Sequence, residues 1–191
     1  MPSNAYNDHF QVMMQDAEEL LNAHRDLRTG QPGRQWGIGA LNRSSLVMAL
    51  SAWEHYVESL ANEVVEIQMP TPPPLLPSLW HSLKTTVAAA ASRMNSPTPY
   101  NVRTLLCDAC GLADVTAAWS WSYSPDAKAN TLALDELVKL RGQIAHGVNP
   151  RPTVHNTKAG IHVKFVRKLA RATDDAVRDH LRSTMALNIS W

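Results

Sequence analysis

A chain of 191 residues, 45% apolar and 18% charged, has the size and balance of one globular domain spanning residues 1–191. Its formal charge of +1 hides a division: residues 1–140 hold nine Lys/Arg against 14 Asp/Glu, and residues 141–191 hold nine against three. No apolar run approaches the roughly 20 residues of a membrane span, and two cysteines are too few for a disulfide framework.

The opening Met1-Pro2-Ser3-Asn4-Ala5-Tyr6-Asn7-Asp8 has neither a basic nor an apolar region of a signal peptide, so a cytoplasmic protein with no membrane contact is expected. Met13, Ala17, Leu20, His24 and Leu27 then recur at steps of four and three, predicting an amphipathic helix from about Asp8 to Arg28 with His24 in the core. Gly30-Gln31-Pro32-Gly33 breaks it. The most regular stripe follows: Leu46, Leu50, Trp53, Val57, Leu60 and Val64 predict a helix from near Leu41 to Gln68. Pro70, Pro72, Pro73, Pro74 and Pro77 end it as a stiff spacer, since proline lacks the donor and clashes with the preceding turn.

Leu79 to Met94 reads as an alanine-rich helix, and Tyr100 to Cys110 as another, stopped by Gly111. Trp119, Trp121 and Tyr123 alternate with serines in a stretch to which the pattern assigns no element. Thr131 begins a further helix. After Pro150 and Pro152 a last helix carries Val166, Leu169, Thr173, Val177 and Leu181 to about Met185. Its start is open, because Gly160-Ile161-His162-Val163-Lys164-Phe165 alternates well enough for a short strand. The fold class is all-α: a helical bundle with an irregular central insertion.

The helix over 131–146 carries the chemistry. Leu134, Leu137, Val138, Leu140, Ile144 and Ala145 crowd one side of it, and Arg141 falls within that stripe. A guanidinium stays charged, so burying it alone costs several kcal/mol, and it must meet a carboxylate, a phosphate or another protein surface. Glu54, beside the apolar stripe of the second helix, is the best placed carboxylate, while Glu58 reads as a surface charge. His146 lies about 140° around from Arg141, in the last turn, where free carbonyls favour a protonated imidazole. Gly147 is a natural stop.

Leu140-Arg141-Gly142-Gln143-Ile144-Ala145-His146-Gly147, with Ser51-Ala52-Trp53-Glu54-His55-Tyr56-Val57 upstream, resembles the RiboL-PSP-HEPN branch of the HEPN superfamily. The resemblance rests on the Arg-x4-His spacing late in the chain and on the Trp-Glu helix before it. It implies an all-helical, HEPN-like bundle, and a metal-independent endoribonuclease with Arg141 and His146 as catalytic residues and Glu54 and Gln143 supporting them. It also implies a homodimer that joins two motifs in one cleft, RNA ends of the 2′,3′-cyclic phosphate and 5′-hydroxyl type, a role as a toxin or in phage defence, and an antitoxin partner. Many active members carry a polar residue directly after the arginine, where this chain has Gly142. A non-catalytic HEPN module that binds RNA or a partner protein is therefore the alternative.

Other residues admit competing readings. The basic excess from Arg141 onward suits a polyanion, with Arg151, Lys158 and Arg167 as RNA contacts, or simply attraction between the two halves of the chain. Cys107-Asp108-Ala109-Cys110 matches a CxxC pattern, but with no second cysteine pair it reads as two small apolar residues on a helix face. No metal or cofactor is expected. Trp119, Trp121 and Tyr123 are either nucleobase platforms or packing for a loop.

Overall fold

The computed structural model describes residues 2–27, 38–69, 77–147, 152–185, 189 and 191. Among them the chain is all-α, with six α-helices and no strand. The glycine-rich break after the first helix and the proline-rich spacer at 70–76 lie outside the described residues.

A π-helical turn over Ala5–Phe10 runs directly into α1 (Gln11–Asp26). Met14, Ala17, Leu21 and His24 face inward, so the apolar stripe is rotated from the predicted one: Leu27 is exposed, and Met13 and Leu20 are half-buried. The inward face is set by α2 and α6, which both pack on this helix. His24 is a core histidine as expected, its Nδ1 3.1 Å from the Ile38 carbonyl oxygen. The next helix, α2 (Gly39–Ile67), is the central axis, and all six residues of its predicted stripe are buried. Trp53 and Tyr56 are fully enclosed; the indole Nε1 donates to the Pro97 carbonyl at 3.3 Å and the phenol to that of Ala170 at 3.1 Å.

Next come α3 (Pro77–Ser92) and α4 (Pro99–Cys110). Thr98 caps α4 by accepting from the Asn101 N–H, Pro99 opens its first turn, and Gly111 at φ 73° closes it. The central segment is short. It holds a 3-10 turn at Val115–Ala118 and a bridge between Trp121 and Ser124. Asn130 latches this loop, donating to the Trp119 and Ser124 carbonyls at 2.8 and 3.0 Å.

The motif helix, α5 (Ala127–Ala145), starts four residues before the predicted Thr131, because Asp126 caps it by accepting from the N–H groups of Lys128 and Ala129. The last helix, α6, spans Asn156–Met185. The strand considered for 160–165 is not formed: this segment is helical, and Val163 continues the buried stripe through Val166, Leu169, Thr173, Val177 and Leu181. Alternation over six residues also fits part of a helical stripe, and no neighbouring strand exists among the described residues to pair with it.

A buried carboxylate ties the N-terminal turn to the last helix. Asp174 on α6 accepts from the N–H and hydroxyl of Ser3 and lies 3.3 Å from the Tyr56 hydroxyl. Glu63 holds the same N-terminal turn by accepting from the N–H groups of Asn4 and Ala5 at 3.0 and 2.8 Å. Orphan donors of a helix start are thereby satisfied by carboxylates from α2 and α6.

Candidate active site

The last two turns of α5 lie across α2 rather than α6. Ile144 meets Leu20, Val47 and Met48 at a shallow depression of about 340 Å³. This brings Arg141 over α2, where its Nη1 lies 2.8 Å from Glu54 Oε2. The two side chains keep 25% and 15% of their accessible surface, so the pair is mostly covered yet open on one side. The predicted carboxylate partner is the one the fold supplies. The closest approach is through Nη1, and a guanidinium has five N–H donors in a planar fork. Glu58, one turn on, is half-buried, and its carboxyl is raised by burial and by the neighbouring Glu54 charge.

His146 occupies the C-cap of α5, its backbone N–H bonded to the Gly142 carbonyl at 2.9 Å, and Gly147 at φ 63° turns the chain away. The imidazole is exposed and forms no side-chain hydrogen bond among the described residues. Arg141 and His146 thus share one helix end but not one contact: the arginine is fixed on α2, and the histidine projects to solvent. A Cβ added at Gly142 would meet nothing within 4 Å, so this position is open space.

Gln143 is exposed on the other side of α5. It lines a groove of about 540 Å³ between α5 and α6, with Lys158 opposite. Of the expected RNA contacts, Lys158 therefore borders the motif helix. Arg167 is turned to α1, where it pairs with Glu18 at 2.7 Å and bonds Gln11. Arg151 lies outside the described residues.

The cysteines separate. Cys107 is exposed, while Cys110 is buried, donates to the Leu106 carbonyl, and has its thiol pushed up to about 11 by burial. Among the described residues no group of three or more His, Cys, Asp or Glu could hold a metal ion, and no helix is long and apolar enough to cross a membrane. One feature carried no sequence signal: His9 and His55 meet edge to face on the surface, ring centroids 5.3 Å apart, because the N-terminal turn lies along α2. Trp119 is fully buried and its Nε1 donates to Thr173 at 2.9 Å, so it packs the loop onto the core. Trp121 is half-buried and Tyr123 is 71% exposed. No family model, curated protein or solved structure matches this chain.

Proposed function

We propose that the chain is a metal-independent endoribonuclease of the HEPN type, working as a two-fold dimer. The observation that carries this reading is the Arg141–Glu54 pair: an arginine held by a carboxylate and open to solvent on one side, with an exposed histidine at the end of the same helix. Transesterification of RNA needs a base for the 2′-hydroxyl proton, an acid for the departing 5′-oxygen, and positive charge on the pentacoordinate phosphorus between them. Arg141 supplies the charge through its remaining N–H groups, and Glu54 keeps the fork in place.

One His146 takes only one proton role at a time. In a two-fold dimer, His146 of one protomer accepts the 2′-hydroxyl proton and its counterpart protonates the leaving oxygen, giving 2′,3′-cyclic phosphate and 5′-hydroxyl ends. Such an activity suits a toxin or a phage-defence effector restrained by an antitoxin protein.

The test is cleavage of a labelled RNA by the purified chain, with the ends identified chemically. His146→Ala should lower the rate by about 10²–10⁴ and leave the helical content unchanged. Equal rates for the variant and its parent would defeat the assignment. Gly142 favours a second reading, a non-catalytic HEPN module that binds RNA or a partner protein, because the open space at that position holds no polar side chain. Binding without cleavage, in the intact chain, would select it.

A further inference from the structure

A groove between α5 and α6, on the side of α5 away from the Arg141–Glu54 pair, leads from the motif end of α5 toward an exposed aromatic loop. We propose that this track is the binding path of single-stranded RNA, with a base stacked on Tyr123; the proposal rests on the ribonuclease reading and deepens it.

The two helices run antiparallel. Gln143 and Lys158 stand at the motif end of the groove, and Leu137, Leu140, Ile161 and Phe165 form its apolar floor. Ile161 keeps 61% of its surface although it is large and apolar. Beyond Phe165 the floor continues into the loop: Trp121 packs against the Phe165 ring at 5.8 Å, and the Lys168 ammonium lies 5.7 Å from the Tyr123 ring centre. Lys158, Ile161, His162, Phe165 and Lys168 repeat at helical spacing along one side of α6, so the track spans about 15 Å.

Its charges suit a strand that turns its bases inward. Lys139 is tied to Asp135 and Glu136 at 3.1 and 2.9 Å, which offsets part of the acidic charge beside the groove. Lys158 and Lys168 form no ion pair among the described residues and stand at the two ends. Burial and the Lys158 charge hold His162 below the usual histidine range, so the middle stays neutral. Cations at the ends, an apolar floor and an exposed ring make a stacking platform with phosphate contacts, as in proteins that hold single strands. A duplex, with its bases paired and stacked, has nothing to offer Tyr123.

The experiment uses the non-cleaving His146→Ala chain and fluorescence anisotropy with a labelled single-stranded oligouridylate, its deoxy counterpart and a blunt RNA duplex. Single-stranded RNA should bind at least about tenfold more tightly than duplex. Adding Tyr123→Ala should weaken it about five- to a hundredfold, the span of one lost base stack. Lys158→Ala should weaken binding and lower the slope of log affinity against log salt by about one. Tyr100→Ala, an equally exposed tyrosine on α4, should change nothing. Binding that ignores Tyr123, or that treats duplex or DNA as well as single-stranded RNA, overturns the proposal. So does a track that serves as a protein interface, seen when Ile161→Glu changes the sedimentation of the chain while RNA affinity stays constant. Cleavage by the unmutated chain with no dependence of affinity on Tyr123 would remove the track and keep the ribonuclease. An inert chain that binds through Tyr123 would do the reverse.

Discussion

Glu54 holds Arg141 at 2.8 Å across the contact between α2 and α5, and this ion pair is the polar link between the apolar axis of the bundle and the helix that bears His146. Both partners are mostly covered, so each is only partly hydrated when the other is removed. Glu54→Gln should destabilise the fold by about 1–2 kcal/mol, below the ~3–5 kcal/mol of a fully buried pair because one side remains open. A double-mutant cycle with Arg141→Ala in urea should give a coupling energy of about 1 kcal/mol or more. Additive effects of the two substitutions would show that the contact contributes little.

Arg141→Lys should not replace the arginine in RNA cleavage. An ammonium that pairs with Glu54 has no second prong in a fixed plane for the phosphate. The expected outcome is a turnover near that of Arg141→Ala with most of the stability retained. A lysine variant with parental turnover would show that only net charge matters there.

The open space at Gly142 makes a substitution there informative. Gly142→Asn places its Cβ in open space and replaces a residue poorly suited to a helix interior, so thermal stability should hold or rise by up to about 0.5 kcal/mol. Under the ribonuclease reading the added amide next to Arg141 raises cleavage. A loss of both stability and cleavage would mean that the position serves backbone packing.

Asp174 should set a pH dependence of stability. Burial raises its carboxyl above the ordinary value, against the lowering effect of the Ser3 and Tyr56 hydrogen bonds and of Arg171. A folded-state pKa above the unfolded one means that the native state binds more protons between the two. The contribution of Asp174 is therefore full below the unfolded value near 3.9 and is lost as pH rises through the folded value. Asp174→Asn removes this dependence. The stability of the parent relative to the variant should fall as pH rises through that window, measured by denaturant titration at several pH values. A difference constant with pH would place the Asp174 carboxyl at its ordinary value.

The two cysteines should react differently. Cys107 is exposed and should take a thiol reagent at pH 8 in the native chain, while Cys110, its thiol raised to about 11 and covered, should react only after unfolding. Mass spectrometry after a brief exposure should find one adduct. Two adducts, or a Cys107–Cys110 disulfide, would show that Cys110 is accessible in the native chain.

The sequence by itself determined the helices and most of their inward faces. The stripes from Leu46 to Val64 and from Val166 to Leu181 are strong enough that burial follows from spacing, because a helix repeats its faces every 3.6 residues whatever it packs on. Sequence also singled out Arg141 as a charge in need of a partner and Glu54 as a carboxylate able to meet it. The start of α5 was legible too, in Asp126 after Pro125, although the apolar pattern begins later. Only the tertiary structure decided which face of α1 would be covered, that Arg167 would turn to Glu18 and away from the groove, and that Tyr123 would remain exposed beside Lys168. It also decided that Asp174 would close over Ser3. Periodicity is a local property of the chain, whereas each of these outcomes depends on which helices touch, and on a partner far away in sequence.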